Sequence, residues 1–361
     1  MSAMLNSSGN FTGCQPQPIN PFIPIFLSFI FFIGFVLNCI SLWIFWFKVK
    51  QWNAMVVLQF NLAITDAMVT PAAPLVVIYG LMDRWTFGVF LCQFKAFALS
   101  IHAYGSMYFL ALISIFRYLS IARNDKRKVL TTKPFIKKLC LIMWGVMMCQ
   151  AVPSFFVVET SEVRGVTKCL SIQQTDQTDF FYALLWFTQF FGLLIPFFIT
   201  LASYSLLIKY LRRVKPMNSL SKVMLSKSVM TIFVTLIIFI ICYIPSYVTR
   251  FAVIVITSFH RDNCSLLENV ENVFNITLTI VATNSLMDPI LYCFASDKFR
   301  ATFTSCCTFY CPFLQRQQHQ ENMEVSDCGG QTEEPKNIHQ TVLLTMDSSE
   351  RRPVAAVEWE N

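Results

Sequence analysis

Charged side chains are scarce in this chain of 361 residues: they make up 14%, whereas 55% of residues are apolar and 36 are phenylalanine. Soluble domains carry roughly a quarter charged residues, so an ordinary globular domain is excluded and a membrane-embedded chain is implied. Histidine is rarer still. The four, His102, His260, His319 and His339, lie far apart in sequence. Without a metal-spaced His/Cys cluster or a glycine-rich phosphate loop, the enzyme classes built on those devices lose support. No internal repeat is visible, and an odd number of apolar spans cannot divide into equal halves, which argues against an inverted-repeat transporter. Residues 1–21 contain no lysine or arginine at all, an absence that bears on orientation.

What is present is a series of apolar runs. Residues 22–47, 54–82, 96–116, 139–158, 180–208, 229–249 and 273–295 carry no fixed charge except Asp66 and Asp288. Each reaches the ~20 residues that a helix needs to cross a bilayer. The fold class expected is an all-α membrane protein with seven spans. The first run lacks a basic leader, is about twice the length of a signal-peptide core, and is followed by Lys48 and Lys50 instead of a cleavage site, so it reads as a retained span. Lysine and arginine crowd the connections after the third span (Arg123, Lys126, Arg127, Lys128) and after the fifth (Lys209, Arg212, Arg213, Lys215). The positive-inside rule then places the N-terminus outside the cell, in a multi-pass plasma-membrane protein. The net charge of +7 reflects this asymmetry and attraction to anionic membrane lipids, not a nucleic-acid partner.

Four segments follow: 1–21 outside, 22–295 the seven-span bundle, 296–311 a juxtamembrane amphipathic helix, and 312–361 a polar, acidic cytoplasmic tail expected to be disordered and open to kinases. Asn6 and Asn10 head glycosylation triplets on the outer segment. Of the 13 cysteines, Cys14, Cys92, Cys169 and Cys264 fall on the oxidising side, where three pairings are open to them. Cys306, Cys307 and Cys311 sit just past the last span, where palmitoylation is expected.

Polar residues inside hydrocarbon are costly and therefore informative. The second span holds Asp66, the third Ser106, and the seventh Asn284, Ser285, Asp288 and Tyr292, with Asn284, Asp288 and Tyr292 on one helix face by their spacing of four. Two carboxylates among hydroxyls and amides suit a small hard cation such as sodium; the plainer reading is a hydrogen-bonded packing network. Prolines punctuate most spans (Pro71, Pro74, Pro153, Pro196, Pro245, Pro289), each removing a backbone donor and permitting a kink.

Taken in order, Asn38, "NLAITD" (61–66), "WTFG" (85–88) with Cys92, Arg117-Tyr118, Trp144, Pro196 with Tyr204, "FIICYIP" (239–245) and "DPILY" (288–292) resemble the rhodopsin-like G-protein-coupled receptors over residues 22–310. The resemblance implies a Cys92–Cys169 disulfide and a second bridge, Cys14–Cys264. It implies a sodium pocket of Asp66, Ser106, Asn284, Ser285 and Asp288. It also implies microswitches at Arg117, Tyr118, Tyr204, Phe239 and Tyr292, coupling to a heterotrimeric G protein, and engagement of receptor kinases and arrestin by the tail. Two positions depart from the family's pattern: Phe116 stands where an acid usually precedes the arginine, and Tyr243 where tryptophan is usual before the sixth-span proline.

For the ligand, Leu99 occupies the place of an amine receptor's aspartate and Ala282 that of a retinal-binding lysine, so both classes lose support. Arg250 shares a face with Tyr243 and Tyr247, and Lys95, Leu99 and His102 share one on the third span. Cations near aromatics suit a phosphate or carboxylate. With Pro74 and "DPILY" they are similar to the purinergic and lipid-acid branch, so the ligand expected is an anionic lipid, nucleotide or small carboxylate. Lys95 and Arg250 otherwise snorkel outward or pair with Glu159 or Glu162. A signalling-deficient decoy or partner receptor is the alternative reading, with an ion channel or transporter behind it.

Overall fold

The computed structural model describes residues 20–121, 132–163, 165–169, 179–213, 229–231, 233–259 and 263–310. Among the described residues seven helices are long and apolar enough to cross a membrane: α1 (Phe22–Lys48), α2 (Ala54–Met82), α3 (Gly88–Ser120), α4 (Lys133–Val157), α5 (Trp186–Tyr210), α6 (Val229–Thr257) and α7 (Ser265–Ala295). After one extended residue, Ser296, comes α8 (Asp297–Tyr310). The expected bundle with an eighth helix is the observed architecture. One addition has no counterpart in the apolar pattern: β1 (Thr160–Val163) and β2 (Val166–Cys169) pair antiparallel between α4 and α5. Its turn uses Gly165 at φ 77°, a left-handed conformation that costs glycine little.

Several helices run past the apolar stretches that announce them. α3 begins before Lys95 and ends after Arg117, α4 begins at Lys133, and α7 contains Glu271. A charge ends an apolar run without ending a helix, because helix ends are set by backbone partners. The Asn53 side chain accepts from Val56 N at 2.9 Å to start α2, and Asn263 accepts from Leu266 N at 3.2 Å ahead of α7. At its other end α2 stops at Asp83, the one described non-glycine residue with positive φ, 51°.

α3 forms the axis of the bundle, with Ile101, Ser106, Phe109, Ile113 and Ser114 wholly enclosed. The rim shows the reverse: Phe26, Phe29 and Phe32 of α1, Leu141 and Ile142 of α4, Phe198 of α5 and Val248 of α6 are exposed. In water so large an apolar surface would drive association; in hydrocarbon it is the solvated face, and the helices satisfy their own backbone groups.

Winding changes locally near Pro71, Pro153, Pro196 and Pro245, whereas the helix continues through Pro289. α2 tightens over Thr70–Ala72 at Pro71, and α4 tightens at Pro153, where Phe155 N bonds Val152 O and Phe156 N bonds Pro153 O, each at 3.0 Å. In α5 the turn widens over Phe190–Leu194, with Ile195 N bonding Phe190 O. The next bond in that register would come from Pro196, which has no N–H. Tyr108 of α3 supplies the donor instead, its hydroxyl giving to Phe191 O at 3.1 Å while accepting from Gln150 of α4 at 2.7 Å. α6 widens in the same way over Ile238–Tyr243, ahead of Pro245.

Candidate functional site

At the N-terminal end of α3, Cys92 is joined to Cys169 of β2 by a disulfide. That pins the hairpin across the mouth of the bundle. Trp85 N donates to Thr167 O at 2.8 Å, and Lys168 pairs with Asp83 at 2.6 Å. The other expected bridge cannot be followed, since Cys14 lies outside the described residues, as do Asn6, Asn10 and Cys311. Cys306 lies on α8 with a free thiol, and Cys307 is on the same helix.

Beneath the disulfide Lys95 is buried, 6% exposed. Its Nζ sits 4.7 Å from the Tyr79 ring centre and 5.0 Å from that of Trp85. Two aromatic faces therefore meet the ammonium, where the sequence suggested Glu159 or Glu162 as partners. Leu99 packs toward the cluster of Leu27, Ile30 and Phe31 on α1. These two side chains thus belong to the α1–α2 side of α3.

Arg250 is on the other side. Its Nη1 donates to the Tyr104 hydroxyl at 3.1 Å, and the Tyr104 ring lies so close to Gly192 of α5 that a Cβ there would come within 2.6 Å of it. One turn before Arg250, Tyr247 is half-buried and its backbone oxygen accepts from Gln189 of α5 at 3.1 Å. The outer cations that the sequence grouped are therefore divided: a helix turns about 100° per residue, so Lys95 and Tyr104, nine positions apart, project from opposite sides of α3.

Below lies a buried polar cluster. Ser106 donates to Asp66 at 3.0 Å, and Asn284 donates to Asp288 at 3.0 Å. Asn38 of α1 reaches the Ser285 carbonyl at 2.9 Å. The five residues expected as a cation pocket are thus brought together from α2, α3 and α7. His102 joins them as well: Nδ1 is 3.3 Å from Asp66 and Nε2 is 3.4 Å from the Ser285 hydroxyl. Tyr243 closes the cluster from α6, its buried hydroxyl facing Ser106. Asp66 Oδ2, Asp288 Oδ1 and Asn284 Oδ1 are buried in the cluster, with the two carboxyl groups within reach of each other. Buried carboxylate, amide and hydroxyl oxygens that converge in this way are the donor set of a small hard cation. These residues fit a sodium ion, which would offset the repulsion between the carboxylates and tie the three helices together.

Toward the C-terminal end of α3, Phe116 is buried while Arg117 Nε and Nη2 have no hydrogen-bond partner. The nearby phenol is that of Tyr204, which also faces Ser114 of α3 and Thr235 of α6, and Tyr118 packs on the same Tyr204 cluster. Tyr292 is enclosed by aromatic rings, 5.3 Å from Phe45 of α1 and 5.7 Å from Phe299 of α8. Phe239 lies 5.6 Å from Tyr243 and 6.1 Å from Phe197 of α5. Two groups of aromatic contacts thus lie next to the polar cluster, one of Tyr243, Phe239 and Phe197 and one of Tyr292, Phe45 and Phe299.

Sequence reasoning missed Tyr104, Gly192 and Tyr79. None carries a local signal, since each matters only through the helix beside it. The missing donor at Pro196 was the one clue that a side chain from another helix must reach α5.

Residues 37–292 match the family model for the 7 transmembrane receptor (rhodopsin family). The chain is similar to purinoceptor 4 of Rattus norvegicus, 32% identical over 289 residues and 79% of each chain. It is also similar to lysophosphatidic acid receptor 6 of Homo sapiens, 30% identical over 76% of this chain and 80% of the relative. Cysteinyl leukotriene receptor 2 of Homo sapiens is 30% identical over 81% and 84%. With the seven helices, the disulfide and the polar cluster in place, the chain belongs to the rhodopsin family of seven-transmembrane receptors.

Proposed function

We propose that this receptor lies in the plasma membrane with its N-terminus outside, recognises an anionic lipid, nucleotide or small carboxylate through Arg250, and activates a heterotrimeric G protein. The observation that carries this is the placement of Arg250: its guanidinium reaches into the bundle and bonds a neutral phenol, with no carboxylate within ion-pair distance among the described residues. A guanidinium has five donors in a planar fork matched to phosphate and carboxylate. The relatives named for purines, lysophosphatidic acid and cysteinyl leukotrienes support an acidic ligand.

Binding at Arg250 draws on α6, and the wide turn ahead of Pro245 gives that helix a place to bend. Bending there bears on Phe239 and Tyr243, then on Tyr204 and Arg117 at the inner end. Asp66, Ser106, Asn284, Ser285 and Asp288 would hold sodium, and His102 borders them. Receptor kinases and arrestin engage the tail, and palmitoyl groups on Cys306, Cys307 and Cys311 fasten α8 to the lipid surface.

The test is G-protein nucleotide exchange in cells expressing wild type or Arg250→Ala at equal surface level, challenged with a nucleoside triphosphate, lysophosphatidic acid and a leukotriene. We expect one class to activate the wild type and Arg250→Ala to need at least tenfold more of it. An unchanged response in the variant would refute the contact.

A further inference from the structure

We propose that Tyr104 is the positioning residue for Arg250, fixing the guanidinium so that its free edge receives both oxygens of the anionic group. This rests on the reading of Arg250 as the ligand contact. Arginine is a long side chain with many rotamers, and an unrestrained one pays for being ordered each time it binds. Here one end of the fork is already tied, Nη1 to the Tyr104 oxygen at 3.1 Å. The edge formed by Nε and Nη2 is left for a bidentate acceptor.

An acceptor can orient a flexible cation only if it is itself fixed, and Tyr104 meets that condition. It is buried, 8% exposed, while Arg250 is only half-buried. Its ring is set against Gly192, where an added Cβ would lie 2.6 Å from Cδ1 and 2.7 Å from Cε1. Gly192 falls inside the widened turn of α5. The same turn is held by Tyr108, one helical turn along α3, through Phe191 O. The tyrosine is thereby clamped between α3 and α5 while its oxygen meets α6, so three helices meet at one hydrogen bond. Two consequences separate this from simple packing: losing only the hydroxyl should weaken anion binding, and enlarging Gly192 should do the same through the ring.

The experiment uses the full chain in lipid nanodiscs. Thermal unfolding is recorded for wild type, Tyr104→Phe, Arg250→Ala, Gly192→Ala and the Tyr104→Phe/Arg250→Ala double variant, with and without inorganic pyrophosphate as probe. Without anion, the two single changes should be non-additive, because each removes the same bond; strict additivity overturns the proposal. With pyrophosphate, wild type should gain thermal stability, and Tyr104→Phe and Gly192→Ala should each require about tenfold more anion for the same gain, the loss expected for one hydrogen bond to a charged group. Arg250→Ala should gain none, and adding Tyr104→Phe to it should change nothing further. If Arg250→Ala loses the effect while Tyr104→Phe matches wild type, Tyr104 does not position the cation but the functional reading survives. If Arg250→Ala is protected like wild type, or wild type is not protected, both readings fall.

Discussion

Phe116 is the residue whose chemistry departs furthest from its place in the family. It is buried in the core and leaves Arg117 with two unpartnered donor atoms. A carboxylate at 116 would give the guanidinium an inactive-state partner worth about 1–3 kcal/mol. Because a carboxylate at a buried position also destabilises, Phe116→Asn serves as the control of like size without the charge. At matched surface level, Phe116→Asp should lower basal nucleotide exchange about three- to tenfold relative to Phe116→Asn; equal basal activity in the two would rule out the missing ion pair as a cause of basal signalling. The sequence announced this position because adjacency along the chain suffices to pair or unpair two side chains. It could not announce Tyr104, whose partner lies 146 positions away.

At the scale of helices, fit is decided by small residues. Gly105 of α3 meets α2 so closely that a Cβ would fall 2.5 Å from Thr65 Cγ2 and 3.0 Å from Met147 Sδ of α4. Close approach is a main source of helix association in lipid, where there is no hydrophobic drive between helices. Thr65 is β-branched and stiff, and its hydroxyl bonds Leu62 O at 2.7 Å, so it has little freedom to yield. Gly105→Ala should therefore cost about 1–3 kcal/mol by overpacking, seen as a lower unfolding temperature and reduced surface expression, with Thr65→Ala restoring part of the loss. A midpoint equal to wild type would mean that α2 and α3 are not held at this separation. Helix existence was legible from apolar length alone. Contact distances were not, because they depend on which faces meet.

Across the whole molecule, the polar cluster is the place where α1, α2, α3, α6 and α7 share polar contacts, through Asn38, Asp66, Ser106, Tyr243 and Asp288 with their neighbours. Sodium bound there would stabilise the native state by linkage, about 1.4 kcal/mol at ten times its Kd. Exchange of choline chloride for sodium chloride should then raise the unfolding temperature of wild type and leave Asp66→Asn unmoved; equal response of both would show that the cluster is a packing network without an ion. Seven spans, their punctuation by proline and the residue types of the cluster all followed from the sequence, because hydrocarbon penalises charge and unpaired backbone position by position. The tertiary structure alone decided that His102 joins the carboxylates, that Lys95 lies against two aromatic rings while Arg250 reaches Tyr104 on the far side of α3, and that Tyr108 replaces the donor Pro196 lacks. Those outcomes depend on the rotation and spacing of one helix against another, which side-chain volumes set only once the bundle has packed.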